Sequence, residues 1–214
     1  MIKPDFYAFL ALSGMLVFGC SNENDDSINL KNIDEKKIPA QALHDVVLIT
    51  QKDSYSCATT SLAMILSEYK GLHSNPLDKD ETWKRSGSSI SAIKTLGNDL
   101  EGLYRVCDAY GFKYEFLQHL KNEEAEYLLA NGIFMVAFIS LNEHQTHAIA
   151  LTGYDRNIKA FYANDTNGRR LVLPYERFDK YWNAMLSRPR IRTVRSALVV
   201  FPDDIKLGKS KLRN

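Results

Sequence analysis

Three side chains in this sequence have the types needed for acyl transfer by sulfur: a thiol at Cys57, an imidazole at His147 and a carboxylate at Asp165. A thiol attacks a carbonyl only as thiolate, and a free cysteine with a pKa near about 8.5 is mostly protonated at neutral pH. A helix N-terminus and a neighbouring imidazolium both favour the anion. Cys57 meets the first requirement. From Ala58 onward, apolar residues recur at Leu62, Ile65, Leu66 and Tyr69, the spacing of a helix that begins at the cysteine. His147 lies in an alternating stretch, 146–152, which puts His147, Ile149 and Leu151 on one strand face and gives the base a rigid support. Asp165 ends the next strand, where a carboxylate reaches the ring, fixes its tautomer and stabilises the imidazolium. Asn164 is the adjacent substitute, pointing to the opposite face, and Asp155 is a third candidate at a turn; the reading favours Asp165. Gln51, six positions before Cys57, completes the set. With the Cys57 backbone N–H it would donate to the oxyanion formed on attack, and losing one such donor costs about 10²–10³ in kcat.

Taken singly, each residue has a plainer reading: a structural thiol, a core histidine, a solvated glutamine. Only the set points to thiol chemistry. That chemistry calls for no cofactor and no metal, and His144-Gln-Thr-His147, though spaced like a zinc pair, lacks further nearby ligands. Cys107 sits among the apolar helical positions Leu103, Val106 and Tyr110 and reads as a buried, inert thiol, although a bridge to Cys57 is open to it in an oxidising compartment.

The elements that must hold these residues follow from period and punctuation. Residues 46–49 are a short strand or an extended entry segment. The Cys57 helix can be capped by Asp53, Ser54 or Ser56 and ends at Lys70-Gly71. Further helices are expected over 90–96, over 98–110 with a stop at Gly111, and over 122–130. Residues 112–117 read as extended. The second half is strand-rich: 133–140, 146–152, 160–164 and 169–173, the last two flanking an Asn167-Gly168 hairpin signal, then 196–201. Pro174 opens a short helix with Phe178, Tyr181 and Trp182 on its apolar side. Helices first and antiparallel strands second argue for an α+β fold with an N-terminal helical lobe and a sheet lobe. Gly87-Ser88-Ser89 and residues 141–145 are the expected loops around the cleft.

The 214 residues suffice for one packed domain plus a leader, and a net charge of +1 supplies no field that would recruit nucleic acid. Lys3 precedes an apolar run that stops at Cys20, too short to span a bilayer but suited to a secretory signal. Leu16-Val17-Phe18-Gly19-Cys20 resembles a bacterial lipobox. The expected organisation is a lipoprotein signal peptide over 1–19, lipidated Cys20 with a flexible acidic spacer over 20–43, the folded domain over 44–203 and a basic tail over 204–214. That reading locates the protein in the cell envelope, attached through lipid alone, with the outer membrane as the expected location.

Gln51-Lys-Asp-Ser-Tyr-Ser-Cys57-Ala-Thr-Thr-Ser-Leu-Ala-Met64, His147-Ala-Ile-Ala-Leu-Thr-Gly-Tyr-Asp155 and Asn164-Asp165-Thr-Asn-Gly168 together resemble the double-glycine-leader peptidases. These papain-like cysteine peptidases are best known as the N-terminal domain of bacteriocin-exporting ABC transporters. Phe178-Asp-Lys-Tyr-Trp182 is similar to a later part of the same pattern. The resemblance covers residues 44–201. It implies a papain-like fold, Cys57, His147 and Asp165 as a triad, Gln51 as oxyanion donor, a peptide or protein substrate, and a separately encoded peptide-export transporter as partner. The sequence departs from the pattern in three ways. Ser56-Cys57-Ala58 stands for Asp-Cys-Gly, Asp165-Thr166 stands for Asp-Pro and is expected to loosen the turn, and no transporter segment follows, as expected of a stand-alone domain. The rival readings are a cell-wall peptide hydrolase and a peptide-binding lipoprotein without catalysis on the same scaffold.

Overall fold

The computed structural model describes residues 28, 30–31, 33–96, 98–142, 145–188 and 190–203. The signal peptide, Cys20 and the basic tail lie outside the described residues, as does His144.

The chain folds around one long helix, α1 (Cys57–Tyr69), whose residues from Cys57 to Ser67 are all buried. The periodicity that reveals α1 gives it one apolar stripe. Its other faces carry Ala63, Thr59, Thr60 and Ser61, small enough to be enclosed as well. Around it come α2 (Lys79–Ser86), α3 (Ile90–Leu96), the two-residue strand β2 (Asn98–Asp99) and α4 (Leu100–Tyr110). Asp78 caps α2 by accepting from the Glu81 N–H at 2.8 Å, and Asp99 caps α4 by accepting from the Gly102 N–H at 3.0 Å.

The antiparallel sheet lies on the other side of α1. Its strands are β3 (Lys113–Leu117), β4 (Phe134–Asn142), β5 (Gln145–Asp155), β6 (Ala160–Asp165), β7 (Arg169–Pro174) and β10 (Ala197–Phe201), in the order β3-β10-β4-β5-β6-β7. Helix α5 (Asn122–Ala130) connects β3 to β4, and α6 (Tyr175–Tyr181) follows β7. The chain between α6 and β10 forms β8 (Asn183–Arg188) and β9 (Ile191–Val194), which join β2 in a separate three-stranded sheet. This is the α+β arrangement expected, with the helices grouped toward the N-terminus.

The domain starts earlier than residue 44. Strand β1 (Gln41–Leu43) pairs antiparallel with the far end of β5, Gln41 opposite Asp155 and Leu43 opposite Gly153. Ile28 and Ile38 join the core, so the residues just before β1 are packed chain rather than free spacer. Two residues of β5 make this seam. A Cβ on Gly153 would stand 2.5 Å from the Ala42 carbonyl oxygen, so only glycine admits the strand. Tyr154 is fully buried and donates its hydroxyl to the Pro39 carbonyl at 2.9 Å. Residues 46–49 form no strand, and Asn164 Nδ2 ties the segment to the sheet by donating to the Val46 carbonyl at 2.8 Å.

Of the three residues expected on the apolar side of α6, Tyr181 is exposed and the other two are not. Phe178 and Trp182 are buried and stack at 4.8 Å between centroids, and Phe161 meets each ring edge-on. Trp182 Nε1 donates to the Ser196 carbonyl at 2.9 Å, which satisfies the indole inside the core.

Candidate active site

Cys57 is the first residue of α1, so its N–H has no acceptor within the helix and the sulfur sits at the positive end of the helix dipole. The loop that delivers it is held by Asp53, whose carboxylate accepts from the N–H groups of Tyr55 at 2.8 Å and Ser56 at 3.0 Å. Ser56 occupies the cap position without making the capping bond, and its hydroxyl is buried with no protein partner. Of the three candidate caps, Asp53 orders the loop and none of them caps the helix through its side chain.

His147 lies near the start of β5, on the strand face it shares with Ile149. In the β5–β6 ladder Asp165 stands opposite Ile149, and is therefore the diagonal neighbour of His147 on the same face. His147 Nε2 donates to Asp165 Oδ1 at 2.8 Å. That occupies one ring nitrogen and leaves Nδ1 open, with Cys57 near enough to the ring to favour its charged form. Asn164 points the other way and ties the entry segment to the sheet, while Asp155 accepts from the Asn157 N–H in its own turn. Of the three candidates for orienting the ring, Asp165 alone bonds to it.

Burial of the ring works against the imidazolium. The hydrogen bond to Asp165, together with the nearby Cys57, outweighs that and pushes His147 up to about 9. Burial also works against the Asp165 carboxylate, but bonds from His147 and from the Asn167 N–H at 3.0 Å hold it below the usual carboxylate range. At neutral pH the pair is therefore carboxylate and imidazolium, with the Cys57 sulfur beside the ring.

Gln51 is brought to the same turn. Its N–H donates to the Thr166 carbonyl at 2.8 Å, and its side-chain Oε1 accepts from the Thr166 hydroxyl. Thr166 is fully buried. The expectation that threonine here loosens the turn is overturned: its two oxygens tie the turn to Gln51. Gly168 closes it at φ +79°, a left-handed position that suits glycine, with its N–H on the Asp165 carbonyl at 3.0 Å.

Sequence reasoning missed Asn98. The Cys57 thiol donates to Asn98 Oδ1 at 3.4 Å, and Asn98 is buried at the end of β2. An amide in that place suits either state of the sulfur, because its oxygen accepts from a thiol and its nitrogen donates to a thiolate. The next residue, Asp99, caps α4 and accepts from Ser88 Oγ at 2.6 Å, which fixes Asn98 in turn. The pairing of β2 with β8, some ninety residues later, leaves no local pattern by which to find it.

Beside the ring lies an apolar pocket of about 310 Å³ lined by Ile139, Ile149, Leu171, Leu173 and Phe178. Ile139 is the cross-strand partner of His147, so the pocket opens along the same sheet face. Of the two expected cleft loops, the first is tied through Ser88 to Asp99, the neighbour of Asn98, while residues 143–144 of the second lie outside the described residues. Cys107 is fully buried in α4, and both it and Cys57 are free thiols.

Residues 43–188 match the model of the Peptidase C39-like family. Among solved structures, a double glycine motif protease from an AMS/PCAT transporter, in complex with the leader peptide, is 20% identical with a TM-score of 0.53. That match covers 75% of this chain and 94% of the other. The peptidase domain of Streptococcus ComA, a bi-functional ABC transporter involved in quorum sensing, is 16% identical with a TM-score of 0.53, over 74% and 99% of the two chains. A C39-like peptidase from Bacillus anthracis is 18% identical with a TM-score of 0.55, over 75% and 97%. At these identities the likeness is one of fold. Among curated proteins none matches.

Proposed function

This chain belongs to the Peptidase C39-like family, and from that premise we propose that it is a cysteine peptidase that hydrolyses a peptide bond through Cys57, His147, Asp165 and Gln51. The observation that carries the reading is the His147 ring, bonded to Asp165 on one nitrogen and lying beside a thiol at the first residue of α1.

The Cys57 sulfur attacks the substrate carbonyl carbon as the thiol proton resides on His147, and the carbonyl π pair moves onto oxygen. That oxyanion is met by the Cys57 N–H and the Gln51 side-chain amide. His147 passes its proton to the leaving amine as the C–N bond breaks, leaving a thioester on Cys57. A water then gives a proton to His147 and its oxygen to the acyl carbon; the sulfur leaves and the acid is released. Asp165 keeps the ring oriented through both proton transfers and stays ionised throughout.

The substrate is a peptide or protein segment, with apolar side chains taken by the pocket beside Ile149. The similarity to a double glycine motif protease makes a leader-like peptide ending in Gly-Gly the first substrate to offer, with a separately encoded ABC transporter as the partner of such processing. Attachment to the cell envelope through lipid on Cys20 belongs to the same proposal and rests on residues 3–20 alone. Peptides with an internal Gly-Gly, incubated with the full chain and read by mass spectrometry, test the activity. Cleavage that disappears in Cys57→Ala supports it. An intact peptide set, with Cys57 reacting with iodoacetamide no faster than a free thiol, refutes it.

A further inference from the structure

We propose that Thr166 is a positioning residue for catalysis, holding the Gln51 side chain so that its N–H₂ end is presented to the oxyanion. The inference rests on the assignment of Cys57 and Gln51 made above. A glutamine on a loop has three side-chain torsions and an amide with an acceptor end and a donor end. Unrestrained, it would have to be ordered at the moment of reaction, and a donor stabilises a transition state best when it is already in place.

Thr166 removes that freedom at both ends of the residue. Its carbonyl accepts from the Gln51 N–H at 2.8 Å, which fixes the backbone, and its hydroxyl donates to Gln51 Oε1, which fixes the amide oxygen toward the turn. The donor end is thereby turned away from Thr166. Thr166 is fully buried, so water does not compete for this hydroxyl. Its chain neighbour Asp165 holds the base at 2.8 Å. Two consecutive residues at the end of β6 thus set both halves of the chemistry, one the imidazole and the other the oxyanion donor.

Two probes separate these halves. Iodoacetamide alkylates the sulfur by displacing iodide and forms no oxyanion. An N-acetyl tripeptide aldehyde ending in glycinal does form one: sulfur adds to the aldehyde carbon, the π pair moves to oxygen, and the thiol proton stays on His147 as the imidazolium. In the full chain, Thr166→Val is expected to weaken aldehyde affinity about ten- to a hundredfold. The alkylation rate of Cys57 and its pH profile should stay within about twofold, and Thr166→Ser should restore the affinity. In a Gln51→Ala background Thr166→Val should add nothing, as for two residues acting through one contact. Thr166→Ala gives the same comparison where the valine variant lacks a thermal transition. The proposal is overturned by unchanged aldehyde affinity, by an equal loss in alkylation rate, or by an undiminished loss in the Gln51→Ala background. Wild-type protein inert to both probes overturns the peptidase reading and this one with it; wild type reactive to both, with an unaffected Thr166→Val, overturns this one alone.

Discussion

Among the described residues two cysteines are buried to nearly the same degree, Cys57 with 3% of its surface exposed and Cys107 with none. Both sit in helices packed against the core. What separates them is the neighbourhood of the sulfur. Cys107 lies in the body of α4 among Leu103 and Val106, and burial, reinforced by Asp108, pushes its thiol well above the ordinary range. Cys57 lies at a helix start, hydrogen-bonded to Asn98 and beside an imidazole that is itself held by a carboxylate. Burial by itself silences a thiol, and burial beside an oriented cation equips it for chemistry. Exposure ranks the two as equals, so only the partners tell them apart.

The sharpest way to break this comparison is to remove each sulfur in turn. Cys57→Ala is expected to lower peptide hydrolysis on the order of 10⁶-fold, while Cys107→Ala leaves kcat/KM within about twofold and costs about 1 kcal/mol of stability in denaturant unfolding. Equal losses of activity would end the distinction. Next, His147→Ala should bring the iodoacetamide rate of Cys57 down toward that of Cys107, read by tryptic mapping of the two labelled peptides. Asp165→Asn has the third largest effect, about 10²–10⁴-fold in kcat, and it also moves a pH limb. His147 acts as the imidazolium, so kcat/KM falls as pH rises through about 9. Removing the Asp165 carboxylate removes a cause that raises His147, so that falling limb must shift to lower pH in the variant. A limb that stays put would show that Asp165 does not set the titration of the ring. The smallest effect on chemistry is expected from Gly153→Ala. This variant should lower the unfolding free energy by about 1–3 kcal/mol, through the clash with the Ala42 carbonyl, and leave the Cys57 alkylation rate within about twofold.

Much of this site was legible because its geometry is local or periodic. The apolar spacing after Ala58 put Cys57 at a helix start. The two-residue period of a strand separated Asp165 from Asn164, and the structure gives each the face that parity required. What escaped depends on contacts far apart in sequence. Strand β1 is three residues long, with a partner more than a hundred positions away. Asn98 owes its place to a pairing with β8. The helix α2 reads Lys-Asp-Glu-Thr-Trp-Lys-Arg-Ser, with little apolar periodicity, although its Asp78 cap and left-handed Gly87 were signals of a start and a stop. Thr166 was misjudged for another reason: a threonine in place of proline looks like a loss of rigidity until its hydroxyl is seen to have an acceptor.

The seam between β1 and β5 has a bearing on handling and on load. Gly153 lies six residues along β5 from His147, about 20 Å at strand spacing, so the chain enters the sheet at the end remote from the sulfur. A tug on the residues preceding β1 is resisted first by the packed Ile28 and Ile38, the three strand positions and the Tyr154–Pro39 bond, all remote from the sulfur. Immobilising the protein from that side on a bead or a surface therefore leaves the reactive face turned outward and free of strain.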